Sequence, residues 1–144
     1  MAETSTNSGL LNVRLVTPDR VLLDATAEAV ELPAMTGYIE ALYGHAPFLG
    51  ELGAGEVRLH GGTSGDQKFF VAWGFAEVLP ERITILAETA LRPSEIDIAE
   101  ARQELEEGER LWQQAGDDGN KYDEANGVTR RAEEKLASAE GRST

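Results

Sequence analysis

From Leu11 to about Arg92 the apolar positions of the chain fall mostly on a period of two. Leu11, Val13 and Leu15 alternate with Asn12, Arg14 and Val16, the mark of a strand with one buried face. Ala29-Val30-Glu31-Leu32 and Glu56-Val57-Arg58-Leu59-His60 are similar short runs, and Phe69-Phe70-Val71-Ala72-Trp73 and Arg82-Ile83-Thr84-Ile85-Leu86 are rich in β-branched and aromatic residues. Turn signals separate them: Pro18-Asp19, Pro33-Ala34, Gly53-Ala54-Gly55, Gly61 to Asp66, and Pro80-Glu81. Short strands with closely spaced turns predict an antiparallel β-sandwich of about eight to ten strands over residues 1–92.

After Arg92 the period changes. Proline is absent beyond Pro93, and Ala, Glu and Arg dominate. Pro93-Ser94 reads as a helix start, with Ser94 as the cap and Asp97 three residues on, as in a capping box. Ile98, Leu105 and Trp112 then recur as one heptad position, and Ala101, Gly108 and Ala115 as another. Gly116-Asp117-Asp118-Gly119-Asn120 breaks the pattern. A second series follows, with Tyr122, Thr129 and Leu136 at one position and Ala125, Ala132 and Ala139 at the other. Two heptad helices joined by a short breaker predict an antiparallel two-helix hairpin over residues 93–144. Asn126-Gly127 weakens the second helix by on the order of 1 kcal/mol. Seams of alanine bury little apolar area, and at ~25 cal/mol per Å² the hairpin is expected to hold only marginally, a property suited to an element that opens. Met1 to Gly9 and Ser138 to Thr144 are small and polar, and are expected to fray.

Charge narrows the function. The chain of 144 residues carries a formal charge of -13, which opposes nucleic acid and anionic lipid alike. No run approaches the ~20 apolar residues of a membrane span, and the N-terminus lacks the features of a secretory signal. Membrane association is therefore expected only through partners. There is no cysteine, so thiolate catalysis and disulfides are excluded.

Candidate chemistry is sparse. His45 and His60 stand apart from any metal-ligand spacing, and no nucleophile elbow, phosphate loop or dinucleotide fingerprint is present. Gly61 to Gly65 reads as a hairpin turn. Glu104, Glu106, Glu107 and Glu109 read as a solvated helix face. The residues thus predict no active site, metal or cofactor. Tyr43-Gly44-His45-Ala46-Pro47 stands out as a shaped loop, either a turn with a hydrogen-bonded histidine or a contact surface.

In order along the chain, Val16 to Arg20, Leu32-Pro33, Gly37-Tyr38-Ile39-Glu40-Ala41-Leu42-Tyr43-Gly44-His45-Ala46-Pro47, the set Leu52, Gly55, Val57 and Arg58, Phe69 to Val78, and Thr84 to Ala90 are similar to the signature segments of the epsilon subunit family of F-type ATP synthases, which corresponds to delta in mitochondria. Tyr38, Glu40 and Tyr43 depart from the family's Glu, Gly and Pro. The resemblance implies a non-catalytic rotor part of a proton-translocating complex, peripheral on the cytoplasmic face of a bacterial inner membrane or its organelle equivalent. It implies a sandwich that clamps the gamma stalk to the c-subunit ring, with Tyr38, Glu40, Tyr43, Gly44, His45, Ala46 and Pro47 near that contact. It implies a hairpin that folds down, or extends into the alpha and beta subunits of the catalytic head and blocks hydrolysis. In that state Arg130, Arg131 and Lys135 correspond to cations that meet an acidic segment of beta. The competing expectation is that these three pair with Glu133, Glu134 and Asp123 on a solvated surface. Some relatives bind ATP through Ile/Leu-Asp-x-x-Arg-Ala; in Ile96-Asp97-Ile98-Ala99-Glu100-Ala101 the arginine is Glu100, so nucleotide binding is expected to be weak or absent. The alternatives are a stand-alone sandwich-plus-hairpin adaptor or ligand-binding module, and, more remotely, a hydrolase using His45.

Overall fold

A computed structural model of the chain describes residues 9–141. The chain divides after Leu91 into two compact units. The first holds eight strands: β1 Leu11–Val16, β2 Val21–Ala27, β3 Ala29–Ala34, β4 Gly37–Leu42, β5 Phe48–Glu51, β6 Ala54–His60, β7 Gln67–Leu79 and β8 Arg82–Leu91. They hydrogen-bond in the order β2-β1-β8-β7-β6-β3-β4, with β5 added on β7. The inward positions of the alternating runs, among them Leu11, Val13, Leu15, Val57, Leu59, Val71, Ile83 and Ile85, form one buried cluster. This is the sandwich that the alternation predicts.

The sheet is antiparallel except for one pair. β1 runs parallel to β8, with Val13 beside Ile83 and Leu15 beside Ile85. A period of two is the same in parallel and antiparallel strands, so the alternation carries no trace of this exception. Strands β2, β4 and β5 also lack a clear signal. In β4 only Ala41 is fully buried, and β5 has just 4 residues.

β7 serves two neighbours. Leu59 to Ala54 of β6 pair with Gln67 to Ala72, and β5 pairs with Phe75 to Val78. The change falls at Trp73, whose φ is 62°, and Gly74, whose φ is 121°. Gly74 is obligatory there: a Cβ would lie 2.0 Å from the Leu86 carbonyl oxygen. The pairing of β7 with β8 keeps one register on both sides of this point, so the local backbone turn marks the handover from β6 to β5 without inserting a residue.

The second unit opens with a 3₁₀ turn, Pro93–Glu95, followed by α1, Ile98–Gln114, and α2, Gly119–Ala139. The first helix starts later than the sequence predicts. Ser94 lies inside the 3₁₀ turn, which closes when the Arg92 amide donates to Glu95 Oε1 at 2.8 Å. Ile96 and Asp97 are extended, and Asp97 is the actual cap, accepting from the Glu100 amide at 3.1 Å. Asp118 caps α2 by accepting from the Asn120 and Lys121 amides.

The small heptad positions form the seam. Ala101, Gly108, Ala115, Ala125 and Ala132 are buried, joined by Leu136, while Ile98, Trp112 and Tyr122 sit at the exposed rim. Close backbone approach requires small residues between the axes, so the large ones are displaced to the flanks. Asn126 does not break α2. Its Oδ1 accepts from Trp112 Nε1 at 2.8 Å, beside an edge-to-face contact of Trp112 and Tyr122. The expected fraying from Ser138 is corrected: Ser138 is buried and α2 continues to Ala139. The remaining terminal positions, 1–8 and 142–144, lie outside the described residues.

Candidate interaction surfaces

The expected contact region from Tyr38 to Pro47 divides into two places. Tyr43 to Pro47 form the connection from β4 to β5. Gly44, at φ 88°, donates its amide to the Pro80 carbonyl at 2.6 Å, the His45 amide donates to Leu42 at 3.0 Å, and His45 Nδ1 donates to the Ala46 carbonyl at 2.6 Å. The histidine thus shapes its own turn, while Leu42 and Tyr43 remain exposed beside it. Tyr38 and Glu40 belong to β4. Tyr38 lies five residues from Tyr43, about 16 Å along an extended chain.

Tyr38 joins a polar network that the sequence reading does not contain. Its hydroxyl accepts from the Glu56 amide at 2.9 Å, and the Arg58 guanidinium lies 5.3 Å from its ring centroid. Arg58 Nε donates to Glu56 Oε1 at 3.1 Å, and its other arm lies 3.5 Å from Glu31. Glu31 also pairs with His60. Glu56 is only 1% exposed. A carboxylate so buried must be paired, and the network supplies that pairing. The available sign is the charged alternation of Glu56, Arg58 and His60 along β6 with Glu31 on the adjoining strand. Glu40, opposite Glu31 in register, is exposed. Among the described residues no cluster of three or more His, Cys, Asp or Glu is placed to hold a metal.

A second surface is apolar. Val21, Val16, Leu86 and Phe75 follow one another in register across β2, β1, β8 and β7. Val21, Leu86 and Phe75 are 49%, 54% and 55% exposed. Val16, Pro18, Phe75 and Leu86 line a shallow groove of about 420 Å³ floored at Gly74. The row ends at Phe75, whose neighbour on β5 is the exposed Glu51, while Leu49 of β5 stands exposed opposite Glu77. Exposed apolar side chains in an unbroken row mark a place where another macromolecule docks. The row is missed in the sequence because each member sits at the outward position of a strand, where a lone apolar residue is ordinary.

In the second unit the three cations separate. Arg130 is exposed. Lys135 Nζ lies 2.9 and 3.2 Å from the two carboxylate oxygens of Glu104 on α1. Arg131 Nε approaches the same carboxylate at 3.8 Å. Arg131 and Lys135 therefore face a partner across the hairpin, Glu104, which the expected set of Glu133, Glu134 and Asp123 does not contain. Glu104 is correspondingly withdrawn from the solvated face, on which Glu106, Glu107 and Glu109 remain. Asp97 uses its carboxylate as the α1 cap, and Glu100 is exposed.

Residues 10–93 match the family described as ATP synthase, Delta/Epsilon chain, beta-sandwich domain. The chain belongs to the ATP synthase delta/epsilon family. The match spans all eight strands. The ATP synthase epsilon chain of Koribacter versatilis is 44% identical over 103 residues, 71% of this chain and 71% of its own length. That of Synechococcus elongatus is 38% identical over 135 residues, 91% of this chain and 96% of its own, so it extends through the hairpin. The chloroplastic epsilon chain of Gracilaria tenuistipitata is 37% identical over 129 residues, 90% and 95% of the two chains. The fold is shared with a chain in the cryo-EM structure of the Euglena gracilis mitochondrial ATP synthase, at a TM-score of 0.74, with 20% identity over 90% of this chain and 81% of that one.

Proposed function

We propose that this member of the delta/epsilon family is the epsilon subunit of a bacterial or organellar F-type ATP synthase, a non-catalytic part of the central stalk. Its sandwich couples the gamma subunit to the c-subunit ring, and its hairpin restrains ATP hydrolysis by the alpha and beta subunits. The observation that carries the coupling role is the apolar row Val21-Val16-Leu86-Phe75 on a sheet whose core is already complete. A rotor part transmits torque, so it needs a partner surface that stays docked. An apolar row with a groove suits gamma, and the exposed turn from Leu42 to Pro47 offers a second surface for the c ring. No helix among the described residues is long and apolar enough to cross a membrane, in keeping with attachment through those partners. The hairpin supports the regulatory role through its thin alanine seam, which makes opening inexpensive.

The test is native co-purification with gamma and the c ring, followed by ATP hydrolysis of the assembled complex. A chain ending at Arg92 is expected to fold and to join the complex. It should raise hydrolysis above that of the complex with the full chain. A folded sandwich that leaves gamma behind overturns the coupling role. Equal hydrolysis rates overturn the inhibitory one.

A further inference from the structure

Glu104 sits between the two cations of α2 that face α1. Its side chain is 21% exposed and that of Lys135 is 13% exposed. Lys135 reaches both carboxylate oxygens, at 2.9 and 3.2 Å. Desolvation offsets much of the attraction in a pair so shielded from water, but removing one member leaves the other largely buried and uncompensated, which is what makes the contact a latch. Arg131 is served less well. Its Nε is buried without a hydrogen-bond partner and stands 3.8 Å from Glu104. One carboxylate therefore holds two cations, one fully and one incompletely. Around this polar contact the seam is mostly alanine and glycine, with Leu136 the one large buried side chain among the described residues of the two helices, so the ionic contact joins the Trp112–Asn126 hydrogen bond in closing the hairpin.

We propose that Glu104 is an intramolecular latch: it keeps α1 and α2 together and withholds Lys135 and Arg131 from a carboxylate-bearing surface of the catalytic head. This rests on the inhibitory reading of the hairpin. Opening exchanges one carboxylate for others. Lys135 loses a good partner, whereas Arg131 Nε gains the hydrogen bond it lacks in the closed state. Lys135 thus favours the closed hairpin and Arg131 favours the open one.

The experiment uses the full chain. Since it has no cysteine, spin labels can be placed at introduced cysteines replacing the exposed Glu106 and Glu133, and their separation reports the closed and open populations. Glu104→Gln is expected to raise the open population at least threefold. Lys135→Gln should do the same, and the double variant should open the hairpin no further than either single change, because both remove one contact. Arg131→Gln should lower the open population below that of the wild type, since it removes the cation that gains by opening; a rise in the open population overturns the assignment of Arg131. In the assembled complex, Glu104→Gln should lower ATP hydrolysis at least twofold, since the cations are released toward the head. Unchanged label distances in Glu104→Gln overturn the latch whatever the hydrolysis rates. Additive opening in the double variant overturns the pairing as its cause. Opening without any fall in hydrolysis, in a complex where truncation at Arg92 does raise it, overturns the withholding role. If truncation itself has no effect, the inhibitory reading fails, and the label distances still decide whether Glu104 closes the hairpin.

Discussion

Gly108 on α1 lies so close to Thr129 on α2 that a Cβ on the glycine would stand 2.4 Å from Thr129 Oγ1 and 3.0 Å from its backbone nitrogen. The hydroxyl can rotate away; the backbone cannot. Alanine at Gly108 would improve intrinsic helix propensity by about 1 kcal/mol, but overpacking a close backbone contact costs roughly 1–3 kcal/mol. Gly108→Ala is therefore expected to leave each helix intact and to separate the pair. Amide exchange should speed up along the seam, at Ala101, Ala125 and Ala132, while circular dichroism shows the same helix content. Slower exchange at those positions would mean that the helices gain more from the alanine than they lose at Thr129.

The apolar row gives a sharper test of docking. Phe75 and Leu86 are more than half exposed and adjacent in register. Replacing either with glutamate should change sandwich stability by no more than about 0.5 kcal/mol, as for ordinary surface positions. A charge at the centre of a docked apolar patch should weaken association with gamma by tenfold or more. Chemical denaturation and pull-down with gamma read the two effects separately. Retained binding in the Phe75→Glu, Leu86→Glu double variant would move the contact elsewhere on the sandwich.

Asp97 is the residue that matches the nucleotide motif of some relatives, yet here its carboxylate accepts the Glu100 amide and caps α1. Asp97→Ala should destabilise the helix by ~1 kcal/mol, the usual loss of an aspartate cap. Isothermal titration with ATP should show no saturable binding tighter than about 1 mM, because Glu100 presents a negative charge where the motif has an arginine. Tighter binding would show that another cation of the hairpin takes the arginine's place.

How far these features could be read in the sequence depends on the physics behind each. The inward residues of β1, β6 and β8 alternate cleanly because one face is buried and the other wet. The parallel join of β1 to β8 left no mark, since pairing direction does not alter the period. In the hairpin the heptads were legible, but which heptad position forms the seam is a matter of backbone approach. Gly108 against Thr129 brings the axes together there, so the small series lines the seam with Thr129 and Leu136, while Trp112 ends 51% exposed. Arg131 and Lys135 share a helix face as their spacing requires; their common partner lies on the other helix, beyond any local rule. The turn at His45 was visible as a shaped segment. The separation of Tyr38 and Glu40 from it was hidden, because the strand they form buries only one residue.

Arg58 supplies the last prediction. It is the arm that reaches the buried Glu56 at 3.1 Å, lies near Glu31 at 3.5 Å, and stands over the Tyr38 ring. Removing it strips a direct cation from a carboxylate that is almost wholly out of water. Loss of one partner from a buried pair costs ~3–5 kcal/mol; here Arg58 itself is partly exposed and Glu56 has other interactions, so about 2–3 kcal/mol is expected for Arg58→Met. In a sandwich of this size that corresponds to a fall in melting temperature of roughly 10–20 °C. Changing Glu56 to methionine as well should recover most of the loss, since the methionine pair leaves no uncompensated charge and packs against the same strands. Arg14→Met, on an exposed position of β1, should shift the melting temperature by only a few degrees. Thermal unfolding of the four chains separates the outcomes. If Arg58→Met behaves like Arg14→Met, the network is a surface arrangement that contributes little. A double variant no more stable than Arg58→Met would show that packing of the arginine stem, rather than the charge it brings to Glu56, is what the sandwich needs.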